Sequence, residues 1–232
     1  MPFMLNAAPP SAILFDLDGT LLDTASDIAL ALQRAMADHG LAAPDVAAVR
    51  TMIGKGSPVL VERACAAVGV AADEAQRAAL LDGFFDHYGR LEASGESTAL
   101  PYDGVREGLA ALQARGVPMA VVTNKFHRFA VPLLTHLGLM PNFRVVVGGD
   151  TCERRKPDPM PLQWACSELG IEPARALMVG DSINDVQAAR AAGMPVVCVP
   201  YGYNEGRDAR TLPCDAFVES LDALPGLLGL NV

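Results

Sequence analysis

The sequence predicts an α/β protein: a doubly wound parallel sheet with an inserted α-helical cap. Three observations carry this expectation. Short apolar runs alternate with longer helical patterns from about residue 104 onward. The first apolar run, Ala12 to Phe15, leads straight into Asp16-Leu17-Asp18-Gly19-Thr20. Between about residues 23 and 100 the pattern is helical, with no convincing strand. Strand–helix alternation produces a parallel sheet covered on both faces. A helical block of that length exceeds an ordinary strand-to-helix connection and reads as a separate cap.

Taken in order, residues 12–15 form a buried strand, because an apolar run ending in polar residues delivers them at its carboxyl end. Thr24-Ala25-Ser26-Asp27 predicts a helix opened by a capping-box arrangement. Ser57-Pro58 predicts an N-cap followed by proline at the first helical position, and the Ala-rich stretch 72–91 continues helical. Further strands are expected at 117–122, 144–147, 176–179, 196–199 and 216–218, with helices near 104–115, 127–137, 158–169 and 184–192. Gly116 and Gly193 stand where a left-handed residue ends a helix. The division expected is residues 1–22 and 97–232 for the α/β core and 23–96 for the cap.

The chain has 232 residues, 51% of them hydrophobic, and a formal net charge of −9. That is ample for a core, and it lacks the basic excess of a general nucleic-acid binder. An acidic chain can still take a small anionic substrate, since a bound metal and one or two lysines invert the field inside a cleft. The five cysteines are odd in number and never spaced C-x-x-C, which argues against a disulfide framework or a structural zinc. Met1 to Pro10 has no signal-peptide pattern, and no apolar stretch approaches the ~20 residues of a membrane span. A cytoplasmic protein with a small-molecule substrate is expected, with no nucleic-acid or membrane partner, as a monomer or homodimer. Trp164 reads as core filling.

Four polar stations follow apolar runs. Asp16 and Asp18 offer a nucleophile, a proton donor and oxygen ligands for a hard cation, with Gly19 permitting a tight turn. Thr123-Asn124 supplies a hydroxyl and an amide for phosphate oxygens, although such residues also cap helices. Lys156-Pro157 presents a point charge suited to phosphate, although a lone lysine is most often solvated. Gly180-Asp181-Ser182-Ile183-Asn184-Asp185 brings a further carboxylate to a strand end. Asp185 reads either as an orienting carboxylate behind the metal or Lys156, or as a favourable charge in the first turn of a helix.

Together, in this order, the stations DLDGT, T with N following, K with P following, and GDSxxD resemble the haloacid dehalogenase superfamily. The resemblance covers essentially the whole chain, cap included. It implies a Rossmann-like core, with Asp16 as nucleophile and Asp18 as general acid/base. Thr123 and Lys156 would hold the phosphoryl oxygens. Magnesium would be held by Asp16, Asp181 and the backbone carbonyl of Asp18, with Thr20 and Asn124 also facing the substrate. The implied reaction is hydrolysis of small phosphomonoesters through an aspartyl-phosphate.

Within the cap, Gly54-Lys55-Gly56 precedes a helix N-terminus, a combination that suits an anionic group. The loop 199–206, together with Thr123-Asn124-Lys125, resembles the branch of bacterial phosphatases acting on 2-phosphoglycolate, whose carboxylate the cap loop would read. Sugar phosphates such as N-acetylmuramate 6-phosphate, or a β-phosphohexomutase reaction on the same fold, are the alternatives. A receiver domain also gathers acids, a Thr and a Lys around magnesium, but is about half this length and places its acceptor Asp after the third strand. Here that strand ends in Gly148-Gly149-Asp150 without a matching pattern.

Overall fold

The computed structural model describes residues 9–230, so the N-terminal stretch read as lacking a signal peptide lies outside it as far as residue 8. In chain order the first elements are β1 (Ala12–Phe15), β2 (Leu22–Asp23), α1 (Ala25–Asp38), α2 (Val46–Arg50), α3 (Ser57–Ala67), α4 (Glu74–Ser94) and β3 (Leu100–Pro101). There follow α5 (Val105–Ala114), β4 (Met119–Val122), α6 (His127–His136), β5 (Val145–Val147), α7 (Met160–Leu169) and β6 (Ala176–Gly180). The chain ends in α8 (Ile183–Ala191), β7 (Val196–Cys198), β8 (Ala216–Phe217) and α9 (Leu224–Leu227).

Six strands make one parallel sheet in the order β5-β4-β1-β6-β7-β8. Every residue of β1, β4 and β6 is buried, as expected of strands covered on both faces. Alternation divides the side chains. Ile13 and Phe15 join an apolar cluster with α5, α6 and α9, while Ala12 and Leu14 join one with α7 and α8. Each fully buried Leu, Ile or Phe contributes about 1.5–3 kcal/mol. Helices α1–α4 have their own cluster, built on Leu32, Met36, Leu60, Phe84 and Leu91 and met from the core side by Phe129 and Tyr203. Among the described residues no helix is long and apolar enough to cross a membrane.

Several local expectations are corrected. The strand expected from 117 begins at Met119, because the Val117 N–H closes the preceding helix on Leu112 O (3.2 Å) and Pro118 has no N–H to offer a ladder. The interval read as strand-free is flanked by β2 and β3, an antiparallel pair of two residues each. Thr24 makes no side-chain cap on α1; its hydroxyl donates to Asp18 Oδ1 at 2.7 Å, a charged acceptor that outcompetes the helix end. Asp27, its expected capping-box partner, accepts instead from Ser97, from Thr98 and from the Ala99 N–H, tying the returning chain to the first turn of α1. The N-cap of α3 is Gly56, one residue before the expected Ser57. A capping box does open α4, where Asp73 and Gln76 exchange hydrogen bonds of 2.8 and 3.0 Å. Trp164 is 38% exposed, because α7 buries the side carrying Leu162, Ala165 and Cys166.

Candidate active site

The chain lays β4 and β5 on one side of β1, then crosses to lay β6, β7 and β8 on the other. Such a reversal opens a crevice at the carboxyl ends of the strands. Asp16 directly follows β1 and Thr123 directly follows β4, while Asp181 follows β6. Lys156 arrives from the loop between β5 and α7, joined to Pro157 by a cis peptide bond.

Lys156 is 2% exposed. Its Nζ lies 2.9 Å from Asp16 Oδ1 and 2.6 Å from Asp185 Oδ1. Burial alone would lower its pKa, but the two carboxylates outweigh burial and push it up to about 12. Asp16 Oδ1 also accepts from the Leu17 N–H at 2.7 Å. Burial raises the Asp16 pKa well above the carboxylate range; Lys156 opposes this, while Asp185 and Asp181 add to it. Asp185 does two things at once. Its Oδ1 meets Lys156, and its Oδ2 accepts from the backbone and hydroxyl of Ser182 at 3.0 and 2.7 Å, completing the capping box of α8.

Asp181 is clasped on all sides. Thr20 donates to Oδ1 at 2.9 Å and the Tyr203 N–H to Oδ2 at 2.7 Å. A Cβ at Gly19, whose φ is +90°, would lie 2.5 Å from Asp181 Oδ2, and one at Gly202 would lie 2.2 Å from the Asp181 Cβ. Only glycine fits either place. Burial, then repulsion from Asp185, push the Asp181 carboxyl up to about 6. Asp16, Asp181 and Asp185 each offer an oxygen within 4.8 Å of the others. Lys156 is the cation facing this buried trio, which leaves excess negative charge. The donor set, carboxylate oxygens only, fits a hard divalent cation.

The side chain of Asp18, a residue whose backbone carbonyl alone is expected to face the metal, lies outside this trio. Its Oδ1 accepts from Thr24 and lies 3.2 Å from Lys125 Nζ. Lys125 is 8% exposed, and its ammonium sits 4.3 Å from the centre of the Tyr88 ring of α4. The sequence places Lys125 in the Thr123-Asn124-Lys125 run but assigns no role to its side chain. Asp18 is 107 residues away, and nothing in the Thr-Asn-Lys run says the lysine turns inward.

A cavity of about 50 Å³ opens here, lined by Asp16, Asp18, Thr123 and Lys125 from the core and by Gly54, Gly56 and Ser57 from the cap. The Thr123 Oγ1 accepts from the Lys125 N–H at 3.1 Å, so its own proton is free to be donated. Thr20, expected to face substrate, is fully buried against Asp181 instead. Asn124 lines the cavity but directs its amide at backbone carbonyls, Gly54 O at 2.8 Å and Lys156 O at 2.9 Å. It joins the cap loop to the core. Lys55, expected to read an anionic substrate, points away; it is 3.4 Å from Glu205, is 41% exposed and does not line the cavity. Gly54 and Gly56 do.

The chain is similar to several known proteins. A protein of Thiobacillus denitrificans named phosphoglycolate phosphatase is 47% identical over 217 residues, 92% of this chain and 93% of that one. A plasmid-borne phosphoglycolate phosphatase of Cupriavidus necator is 44% identical over 222 residues, 95% of this chain and 94% of its own. The crystal structure of a predicted phosphoglycolate phosphatase from Haemophilus somnus superposes with a TM-score of 0.88 at 33% identity, covering 96% of this chain and 99% of that one. The family model for haloacid dehalogenase-like hydrolases matches residues 13–199, from within β1 to the residue after β7, and the chain belongs to that family.

Proposed function

We propose that the chain is a phosphatase that hydrolyses 2-phosphoglycolate to glycolate and phosphate through a phosphorylated Asp16. The observation that carries this reading is the meeting of Asp16 and Thr123 at two strand ends on one small cavity, with Lys156 held 2.9 Å behind Asp16. Both close contacts of Asp16 among the described residues fall on Oδ1, so Oδ2 is the oxygen that attacks phosphorus. Lys156 and the Thr123 hydroxyl hold the phosphoryl oxygens as charge develops on them. Asp18, braced by Thr24 and Lys125, gives a proton to the leaving alkoxide and later takes one from water. Proton transfer of this kind is worth ~10²–10⁴-fold. The enzyme forms and then hydrolyses an acyl phosphate, splitting one difficult displacement into two.

Magnesium would be held by Asp16, Asp181 and the Asp18 backbone carbonyl, with Asp185 alongside, and would neutralise the repulsion between a carboxylate and a phosphate dianion. The cavity that Asp16 and Thr123 line is small, which accords with a two-carbon substrate. The names of the relatives point the same way. A cytoplasmic setting accords with the unpaired cysteines at 65, 152, 166, 198 and 214.

The test is release of phosphate from a panel holding 2-phosphoglycolate, N-acetylmuramate 6-phosphate, β-glucose 1-phosphate and p-nitrophenyl phosphate. The highest kcat/KM is expected for 2-phosphoglycolate. A better sugar phosphate would overturn the substrate and spare the phosphatase. An isomeric sugar phosphate as product would indicate a mutase, and no phosphate release from any member would overturn the reaction.

A further inference from the structure

The cavity wall away from Asp16 is apolar, made by Ile28, Ile53, Leu60, Phe84 and Phe129. Beside Ser57 and Asn124, two further polar groups break it. One is the buried ammonium of Lys125, between Asp18 Oδ1 at 3.2 Å and the face of the Tyr88 ring. The other is Tyr88 itself, 2% exposed, whose hydroxyl has no hydrogen-bond partner among the described residues. Buried polar groups are nearly always satisfied, so an orphan on a cavity wall asks for a ligand atom.

An ammonium has three donors. Asp18 takes one, and the ring attracts the charge without using a proton. A lysine here can serve two carboxylates, as Lys156 does with Asp16 and Asp185 in the same molecule. Position supplies the remaining constraint. In 2-phosphoglycolate a single methylene separates the carboxylate from the ester oxygen that Asp18 must protonate. Whatever holds the carboxylate must therefore stand beside Asp18. Lys125 does so, and Lys55, paired to Glu205 outside the cavity, does not.

Resting on the reading that 2-phosphoglycolate is the substrate, we propose that Lys125 and the Tyr88 hydroxyl together receive its carboxylate. This pair, one residue from the core and one from the cap, sets the preference for a phosphomonoester bearing a carboxylate next to the ester carbon. Gly56 and Ser57 open the 11-residue helix α3 against the same cavity, adding a positive dipole end. An uncharged hydroxymethyl group in place of the carboxylate would gain little from an ammonium in so dry a site, whereas a charge-assisted hydrogen bond is strengthened there.

The experiment compares kcat/KM for 2-phosphoglycolate with that for 2-hydroxyethyl phosphate, which replaces the carboxylate by a hydroxymethyl group. The quantity read is the ratio of the two. It should fall about ten- to a hundred-fold in Lys125→Met and about three- to tenfold in Tyr88→Phe. The second variant keeps the ring and its packing, so it stays informative if the first fails to fold. A lysine that only positions Asp18 would slow both substrates equally. An unchanged ratio in folded variants, beside a high ratio in the wild type, would overturn this assignment and leave the phosphatase reading intact. A wild-type ratio near one would remove the phosphoglycolate reading, and the assignment with it.

Discussion

Lys156 and Asp185 meet at 2.6 Å from positions 29 residues apart, and the same carboxylate caps α8 through Ser182. One buried side chain thus fixes both the start of a helix and the lysine facing Asp16. In Asp185→Asn the amide would turn its NH2 toward either the Lys156 ammonium or the Ser182 N–H, donor against donor, and either arrangement leaves a buried group unpaired. Removing one partner of a buried pair costs about 3–5 kcal/mol. Urea denaturation should show a loss of that order, with a fall in kcat. Wild-type turnover in a folded variant would remove the anchoring role.

Asp16→Asn should abolish turnover and leave the fold in place. The amide keeps the shape of the carboxylate but cannot attack phosphorus. Because Asp16 is buried among other acids that push its pKa up, neutralising it should not lower the melting temperature. Acid-quenched enzyme should carry a hydroxylamine-sensitive phosphoryl label in the wild type and none in the variant.

Activity should depend on magnesium, with chelation inactivating the enzyme and added magnesium restoring it. Asp181→Ala should raise the magnesium concentration needed. So should Gly202→Ala, whose new Cβ would strike the Asp181 side chain. Calcium should inhibit, because it takes more ligands at longer distances. Full activity after exhaustive chelation would contradict this site.

Much of this site is visible in the sequence, because each station sits at the end of an apolar run and a parallel sheet brings such ends together. Asp16, Thr123 and Asp181 are legible for that reason. Lys125 is not, since an inward lysine depends on Asp18 and on Tyr88, which reaches it from α4 of the cap. The errors share one cause. Thr24 and Lys55 are read from their neighbours in sequence and Thr20 from the family resemblance, whereas a carboxylate distant in the chain or across a turn takes each of them: Asp18, Asp181 and Glu205. The strands β2 and β3 are too short for alternation to register.

Glu92 on α4 should make stability depend on pH. One of its oxygens is buried without a partner, and burial, opposed by Lys125 and reinforced by Asp18 and Asp27, pushes its carboxyl up to about 7. In the unfolded chain it titrates near ~4.3. Between these values only the folded state holds the proton, so stability is lost as pH rises through the window. Water at the exposed part of the side chain screens the effect, leaving on the order of 1 kcal/mol. Melting curves at pH 5 and pH 8 should show Glu92→Gln losing less stability than the wild type. Parallel losses in the two proteins would assign the effect to other groups.

The antiparallel pair β2 and β3 has a topological consequence. The chain enters the helical block after Leu22–Asp23 and comes back at Leu100–Pro101, with Leu22 opposite Pro101 and Asp23 opposite Leu100. Everything between these strands hangs from a single doorway in the core. Two strands already side by side and running in opposite directions are the stem of a hairpin, and a turn of two to five residues closes such a stem. The roof over the catalytic residues is therefore exchangeable at one seam. Replacing residues 25–99 with a short turn would leave every parallel pairing of the large sheet in register and keep Thr24 against Asp18, and swapping in another helical block would change what the enzyme admits while Asp16, Asp18 and Thr123 stay in the core.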